Sequence, residues 1–376
     1  MQTQNAAIQR VLKWPLWPIV GTILTIKALL FLFAALSFQV ITNIPVGSLR
    51  EFFSIWNRWD AIHYVSVATH GYASAGERLR EMMYFPLFPW LTRLVALALR
   101  DVVISSIFVS TVASFIAGIL LFKLIRLDET EERAKQAVLF LFIFPTSYFL
   151  HAGYTESLFL ALVLGAFLAA RQKEWLLAGL LGAFASMTRI NGLVLMPALA
   201  VEAFVQYRED RRWRWEWFFI GTIGLGFVVY AILNNHFAGD PFAFLSLQGK
   251  YQYRTLAWPW AGIYRCFDEL ITREPWEAIM LVWQELFFVL LTLVCTVLCF
   301  IKLRPSYGIW MVLNWLVFTS SSFVQSVPRY ALILFPIFIL SGRLVPGRWG
   351  HLLVTLWSLV LLSFFTALFV TGRWAF

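Results

Sequence analysis

The stretch Asn57-Arg58-Trp59-Asp60-Ala61-Ile62-His63-Tyr64 decides how the fold is interpreted. It follows a strongly apolar window at residues 18–41, so it lies just outside a predicted membrane span. If the stretch is helical, it places Asp60 and His63 one turn apart. A carboxylate held beside a bilayer among aromatic rings suits a general base that acts on a membrane-borne substrate.

The composition predicts an all-α polytopic membrane protein. Of the 376 residues, 60% are hydrophobic and 14% charged, whereas soluble domains have about 25% charged residues. We expect about eleven spans, and residues 1–376 are expected to form a single transmembrane domain. The apolar windows are 18–41, 103–122, 137–150, 155–170, 175–188, 190–205, 217–236, 281–301, 308–323, 330–341 and 351–371.

Several windows are shorter than the roughly 20 residues that cross a hydrocarbon core. Pro145, His151 and Gly153 interrupt one region, and residues 189–192 interrupt another. Helices broken inside a membrane are tolerated only where protein or a water-filled cavity covers the freed backbone. The breaks therefore predict a polar cavity.

The N-terminus and the cysteines give two further expectations. Arg10 and Lys13 precede an apolar run of the signal-peptide type, but no small-residue cleavage site follows, which favours an uncleaved first span. The cysteines have neither disulfide nor metal-ligand spacing, and Cys295 and Cys299 are expected to be small apolar fillers of one helix.

Basic residues concentrate in the short loops, which places the N-terminus inside by the positive-inside rule. The net charge of +9 fits attraction to anionic lipids, and its location in short loops argues against nucleic acid as a partner. Two longer loops, about 42–102 and 237–280, then lie outside. The short-loop residues are Lys123, Arg126, Arg133, Lys135, Arg171, Lys173, Arg208, Arg211, Arg212, Arg214, Lys302, Arg304, Arg343 and Arg348.

This topology brings four charged residues to the outer face. Asp60 lies in the first outer loop, Glu156 begins a span, Arg189 ends one, and Arg329 lies in the turn 326–330. The expectation depends on counting residues 137–170 as two spans, because a single span there would scatter the four residues.

The first outer loop supplies the candidate base. If residues 52–70 form one helix, Trp56, Asp60, His63, Tyr64 and Val67 share a face, and His63 can orient Asp60 or share its charge. The alternative is an interfacial helix whose Asp60 pairs with Arg58 or faces water.

Glu156, Arg189 and Arg329 each have a functional and a structural interpretation. A charge inside a bilayer costs at least a few kcal/mol, which favours function for Glu156, although a helix N-terminus also stabilises an anion. Arginine can bind phosphate through two hydrogen bonds, but Arg189 and Arg329 could also be interfacial anchors or pair with Glu156. The remaining cations are Lys250, Arg254 and Arg265, which are reserve phosphate ligands, and Lys27, which is expected to snorkel or pair internally.

Other motifs narrow the function. The aromatic segments 84–90 and 257–260 could line an acceptor groove or form an interfacial aromatic belt. The sequence has no Walker loop, HExxH site, GxSxG elbow or DxD carboxylate pair. A soluble nucleotide donor is therefore disfavoured, and no metal or cofactor is expected.

Five segments resemble the PIG-V family of mannosyltransferases, a branch of the GT-C membrane glycosyltransferases. They occur in order over about residues 56–330, and the first and third are the most specific. The segments are 58–64 with Gly71 and Tyr72, 85–89, 144–145 through 154–157, 188–192 and 328–330.

The resemblance implies a GT-C fold with outer loops covering the site, a polyprenyl-phosphate sugar donor, usually mannose, a glycolipid or glycan acceptor, and an inverting reaction. Asp60 occupies the place of the first-loop acid that acts as base. Prokaryotic relatives often carry a glutamine followed shortly by tryptophan in the second long loop, whereas Gln248 here precedes Tyr251 and Tyr253. The expected substrate-lining residues are Trp59, Tyr64, Tyr154, Gln248 and Tyr330.

The length and the lack of an Asn-x-Ser/Thr sequon favour a prokaryotic inner-membrane protein with an outward-facing site. The sequence thus predicts that an acceptor hydroxyl loses its proton to Asp60 while Arg189 and Arg329 hold the departing phosphate and Glu156 and His63 shape the site. The rival interpretations are a transporter or flippase with a midplane site and a non-catalytic membrane scaffold.

Overall fold

A computed structural model describes residues 16–345 and 347–376, except for the side chains of residues 277, 278, 280 and 281. Arg10 and Lys13 lie outside the described residues. The α-helices are α1 Trp17–Thr42, α2 Leu49–Ser54, α3 Asp60–His70, α4 Leu87–Leu99, α5 Val102–Ile125, α6 Glu131–Ile143, α7 Glu156–Arg171, α8 Trp175–Ser186, α9 Leu195–Asp210, α10 Ile223–Ala238, α11 Ala243–Gln252, α12 Pro259–Thr272, α13 Pro275–Glu277, α14 Gln284–Lys302, α15 Pro305–Thr319, α16 Val327–Ala331, α17 Pro336–Leu344 and α18 Gly347–Val370.

Shorter helical segments connect several of these helices. A π-helical segment, Ala278–Trp283, leads into α14, and an isolated β-bridge joins Leu256 to Ser321. The 3₁₀ segments are Glu77–Met83, Ser147–Leu150, Ile190–Val194 and Trp215–Thr222.

The all-α polytopic class is confirmed. Within the part of the chain that the structure describes, six helical segments are long and apolar enough to cross a membrane. They are α1, α5, Ile190–Asp210, Trp215–Ala238, α14 and α18, and the pair Glu77–Met83 and α4, bent by 109°, makes a seventh if it is one span. Other predicted windows correspond to helices of 16 residues or fewer, so the count of about eleven spans stays a prediction.

The helix α7 lies at the centre of the bundle. Apart from its two partly exposed leucines, Leu158 and Leu162, every residue from 156 to 170 is buried. It packs against α5 and α8, and Gly165 lets Leu181 of α8 come within contact distance. A helix apolar all round and buried all round is the expected centre of a large membrane bundle. Its first residue, Glu156, is therefore held at a fixed position.

The predicted helix breaks are present, and polar side chains satisfy the freed backbone. The chain leaves α6 at Ile143, makes the 3₁₀ turn Ser147–Leu150 and only then enters α7. The Nζ of Lys27 donates to the carbonyl of Leu150 at 3.0 Å and lies 3.3 Å from Nδ1 of His151. Lys27 thus pairs internally, which was one of its two expected arrangements.

The expectation of one helix over residues 52–70 is wrong. The helix α2 ends at Ser54 and α3 begins at Asp60, because Trp59 has φ of +53° and ψ of −122°, values that no helix accommodates. Asp60, His63, Tyr64 and Val67 still lie together on α3. The break places Asp60 in the first turn of α3, where the helix dipole favours an anion.

The basic short loops contact one another at one end of the bundle. Arg171 pairs with Asp128 at 2.7 Å, and Arg304 pairs with Glu202 at 2.9 Å. Because Arg171 is the last residue of α7, this end lies roughly 22 Å from Glu156, its first residue.

The second long loop contains an amphipathic helix, α12. Its exposed apolar face carries Trp260, Tyr264, Phe267 and Ile271, which recur at helical spacing. Trp258 stacks on Trp260 with ring centroids 5.2 Å apart. An apolar face with paired tryptophans is typical of a helix lying in the membrane interface.

Close contact between α10 and α8 gives the first prediction. A Cβ on Gly226 would lie 1.8 Å from the carbonyl oxygen of Ala183, whereas a Cβ on Gly224 of the same helix would meet nothing within 4 Å. Gly226→Ala should lower the apparent unfolding free energy by about 1–3 kcal/mol because the helices must separate. Gly224→Ala should leave it unchanged or raise it by about 0.5–1 kcal/mol. Thermal unfolding in detergent measures both, and equal midpoints would contradict this packing.

Candidate active site

The structure brings Asp60, Glu156, Arg189 and Arg329 into one cluster. Nη1 of Arg329 lies 2.6 Å from Oδ2 of Asp60, and Nε of Arg329 lies 2.5 Å from Oε1 of Glu156. Nη1 of Arg189 lies 2.5 Å from the same Glu156 oxygen. Four residues spread over 270 positions of sequence therefore share one continuous ionic network.

Each charge is fixed by the local structure of its own segment. Asp60 and Glu156 are the first residues of α3 and α7, so both carboxylates lie where helix dipoles favour negative charge. Arg189 follows α8, and its backbone N–H donates to the carbonyl of Ala185 at 3.0 Å. Arg329 lies in the short helix α16.

Aromatic rings surround the Arg329 guanidinium. Its central carbon lies 4.7 Å from the ring centroid of Tyr154 and 4.9 Å from that of Phe149. The hydroxyl of Tyr154 donates to the carbonyl of Arg58, which ties this wall to the first loop. A permanent cation buried this way needs both carboxylates to offset its lost hydration.

Glu285, which the sequence interpretation did not single out, holds the turn that carries Arg329. Its two carboxylate oxygens accept the backbone N–H groups of Ser326 at 2.5 Å and Val327 at 2.7 Å. Ser326 has φ of +65°, a conformation that needs such support in a non-glycine residue. Thr146 adds a hydrogen bond from its hydroxyl to the carbonyl of Pro328. A carboxylate in the first turn of an apolar window was the sequence signal that could have revealed Glu285.

Tyr84 is the second residue that the sequence analysis missed as a site contact. Its hydroxyl donates to Oδ1 of Asp60 at 3.1 Å, and the His63 ring stacks on the Tyr84 ring with centroids 4.9 Å apart. No hydrogen bond joins the described side chains of His63 and Asp60. His63 therefore reaches the carboxylate through Tyr84.

Opposing effects set the charge of Asp60 and His63. Burial alone would raise the pKa of Asp60, but the charge and hydrogen bond of Arg329, with Tyr84 and His63, bring that pKa below its ordinary value. Burial lowers the pKa of His63, and the nearby Asp60 only partly opposes that shift. The pair is thus an ionised carboxylate beside a neutral imidazole at neutral pH.

The cluster borders a cavity of about 1040 Å³, large enough for a lipid-linked substrate. Asp60, Arg189 and Arg329 line it, and so do three of the five expected substrate-lining residues, namely Tyr64, Gln248 and Tyr330.

The other predicted site residues lie outside the cavity wall. Glu156 is fully buried behind the arginines, and Tyr154 lies against Arg329. Trp59 packs edge-to-face on Trp374 at 5.2 Å, and His63 stacks on Tyr84.

The alternatives considered from the sequence are distinguished by these contacts. Arg58 does not pair with Asp60; its Nε donates to the carbonyl of Ile55. Arg189 does form the expected ion pair with Glu156, yet it also lines the cavity. Of the reserve cations, Arg254 lines the cavity, whereas Arg265 pairs with Glu269.

The described residues contain no cluster of metal-binding side chains. In residues 16–345 and 347–376, no three His, Cys, Asp or Glu side chains gather as a metal site would require. Asp60 and Glu156 direct their carboxylates at arginines instead.

Residues 28–211 match the family described as Mannosyltransferase (PIG-V). The chain is 30% identical over 148 residues to GPI mannosyltransferase 2 of Schizosaccharomyces pombe, covering 38% of this chain and 31% of that protein. It is 31% identical over 154 residues to GPI alpha-1,6-mannosyltransferase 2 of Mus musculus, covering 38% of this chain and 30% of that protein. The chain thus spans about a third of the length of the curated relatives it matches.

The fold has a solved counterpart. The crystal structure of ArnT from Cupriavidus metallidurans bound to undecaprenyl phosphate aligns with a TM-score of 0.50 at 16% identity, covering 89% of this chain and 62% of that one. At this identity the likeness shows the fold alone: the chain shares the all-α polytopic fold of that structure.

Replacing Glu285 should loosen the turn before Arg329. Glu285→Gln leaves one acceptor oxygen for two backbone N–H groups, so one of the two hydrogen bonds is lost and a buried donor is left unpaired, which costs about 1–3 kcal/mol. We expect a lower thermal midpoint and faster tryptic cleavage after Arg329, measured by mass spectrometry of the digest. Glu269→Gln, which alters an exposed ion pair, is the control. Equal cleavage rates after Arg329 in the two variants would show that Glu285 does not position this turn.

Proposed function

Because the chain is a relative of the PIG-V mannosyltransferases over residues 28–211, we propose that it is a membrane mannosyltransferase. The donor is a polyprenyl-phosphate sugar, and the acceptor is a glycolipid or glycan. One observation carries the proposal: Asp60 and two guanidinium groups, from distant segments, meet on the wall of a large cavity. That combination suits proton removal beside a leaving phosphate.

The cavity wall supports a donor with a charged head and an apolar tail. Arg189 and Arg329 offer guanidinium groups to a phosphate, while Leu313, Leu316 and Val317 line the same cavity with apolar side chains. The ArnT structure of the same fold is bound to undecaprenyl phosphate, a lipid of the class we propose as carrier.

Asp60 is the proposed base. The acceptor hydroxyl gives its proton to the Asp60 carboxylate while its oxygen forms a bond to the anomeric carbon. The bond from that carbon to the donor's phosphate oxygen breaks, and its electron pair leaves with the polyprenyl phosphate. Attack from the face opposite the phosphate inverts the anomeric configuration.

Arg329 links the base to the leaving group. It contacts Asp60 and Glu156, so a phosphate that binds Arg329 weakens its hold on Asp60. Loss of that positive partner raises the pKa of Asp60 and makes it a stronger base. Binding of the donor's phosphate would thereby activate the base.

Glu156, His63 and Tyr84 act by positioning. Glu156 holds both Arg189 and Arg329, and its fully buried carboxylate cannot reach an acceptor. Tyr84 donates to Asp60 and leaves the other Asp60 oxygen to Arg329 and the acceptor. His63 keeps Tyr84 in place by stacking.

The transporter alternative is not favoured. Transporter sites lie near the bilayer midplane between related halves. Here Asp60 and Glu156 begin their helices, and the basic short loops gather around the far end of α7. By the positive-inside rule, we propose that the site faces outward. We propose a prokaryotic cell membrane as its location on the separate ground of the sequence features given above.

Asp60→Asn should lower transfer by at least ~100-fold, because an amide accepts no proton in the pH range of the reaction. Asp101→Asn, in the same loop, is the matched control: Asp101 caps α5, and asparagine caps helices equally well. Transfer of labelled mannose from a polyprenyl-phosphate donor by purified protein measures the effect. Near-normal turnover of a folded Asp60→Asn protein would remove Asp60 from the base role.

The pH dependence of kcat/KM below pH 7 distinguishes whether Asp60 or His63 is the base. The pKa of Asp60 is held below its ordinary value, so its reactive carboxylate is lost only as pH falls through that low pKa. The specificity constant kcat/KM should therefore stay constant from about pH 7 to about pH 5. A decline with an apparent pKa between about 5 and 6.5 would instead indicate His63.

A further inference from the structure

We infer that Arg254, in the second long loop, provides the main attraction for the donor's phosphate, beside Arg189 and Arg329. The inference rests on the proposed function and assigns its donor-binding residue. Arg189 and Arg329 already face carboxylates, so they offer the incoming phosphate little uncompensated charge.

The residues around the cavity carry a net positive charge. The charged residues that line it are Asp60, Arg189, Arg254 and Arg329, and Glu156 lies directly behind them. Counted over these five residues, three guanidinium groups against two carboxylates leave one positive charge, and Glu285 forms no ion pair with any of the three arginines in the part of the chain that the structure describes. A phosphodiester carries one negative charge, so the donor makes the site neutral.

Among the described residues that line the cavity, Arg254 is the arginine whose hydrogen bonds go to neutral acceptors and not to a carboxylate. Its Nη1 donates to the hydroxyl of Tyr330 at 3.3 Å and its Nε to Oγ of Ser321 at 3.5 Å, and both acceptors are neutral. Glu285 feels the charge of Arg254, but both Glu285 oxygens already accept backbone N–H groups. The guanidinium thus keeps its charge and most of its hydrogen-bond donors for a ligand.

The surrounding structure holds Arg254 beside the ionic cluster. Thr255 and Ser322 exchange hydrogen bonds, from Thr255 N–H to Ser322 Oγ at 3.2 Å and from Ser322 N–H to the Thr255 carbonyl at 2.9 Å. Tyr330 follows Arg329 in the chain, and its ring lies 5.5 Å from the Arg189 guanidinium. Tyr330 therefore connects all three arginines along one wall.

Arg254 and Arg329 have different roles in the proposed reaction. When Asp60 takes the acceptor's proton it becomes neutral, and Arg329 loses one of its two anionic partners. At the same moment the phosphate gains negative charge as it leaves with the bonding electron pair, because a monoester approaches two negative charges. Arg254 then contributes to donor affinity and Arg329 to the transition state, a difference that KM and kcat separate.

Binding of undecaprenyl phosphate to the full chain in nanodiscs tests the inference. Arg254→Gln keeps a hydrogen-bond donor for Tyr330 but removes the charge, and it should weaken binding ~10-fold to ~100-fold. Arg254→Lys keeps the charge without the forked geometry and should weaken binding by a smaller factor. Arg265→Gln, which alters an exposed arginine of the same loop, should bind like the wild type.

Steady-state kinetics and a titration with inorganic phosphate add two further measurements. Arg254→Gln should raise the donor KM with little change in kcat, whereas Arg329→Gln should lower kcat. Inorganic phosphate, titrated in parallel, distinguishes a lipid phosphate from free phosphate. If Arg254→Gln does not fold, as judged by thermal unfolding, Arg254→Lys against Arg265→Lys carries the comparison.

Three outcomes would overturn the assignment. Equal affinity of Arg254→Gln and Arg265→Gln for undecaprenyl phosphate removes Arg254 from donor binding. Arg254-dependent binding of inorganic phosphate alone rejects the lipid donor at this residue. A wild-type protein that neither binds undecaprenyl phosphate nor transfers mannose rejects the proposed function itself, whatever the variants do.

Discussion

The buried Arg329 guanidinium, shared between Asp60 and Glu156, is the interaction on which the rest of the site depends. A charge in this position is stable only if carboxylates and aromatic rings surround it. That requirement fixes where α3 and α7 must begin, because each supplies a carboxylate from its first residue. It also requires the turn before Arg329 to be held rigidly, which Glu285 does from within the bundle.

The same ionic network explains how a base that is already paired with an arginine can act on a charged donor. Asp60 is ionised but occupied by Arg329 until a phosphate competes for that arginine. We propose that Arg254 provides the attraction that brings the phosphate in, since its hydrogen bonds in the described part of the chain go to neutral hydroxyl groups, whereas Arg189 and Arg329 pair with carboxylates. Arg254 then contributes to the affinity for the donor, whereas Asp60 and Arg329 contribute to the rate of the chemical step.

The sequence predicted the class of fold and the meeting of Asp60, Glu156, Arg189 and Arg329, because charges that interrupt apolar windows are costly and therefore informative. It did not predict the break at Trp59, whose positive φ no local pattern encodes. The contact of Tyr84 with Asp60 was not predicted, because Tyr84 belongs to an aromatic segment that is also typical of the membrane interface. The number of membrane spans could not be checked, because several helices in the bundle are shorter than the roughly 20 residues that cross a hydrocarbon core.

The most direct test is to incubate the purified protein with labelled polyprenyl-phosphate mannose and membrane extracts and to identify the labelled product. The account predicts that the label moves covalently to a glycolipid or glycan acceptor with inverted anomeric configuration. Movement of donor or solute across the membrane with no covalent product, or no transfer of label to any acceptor, would contradict it.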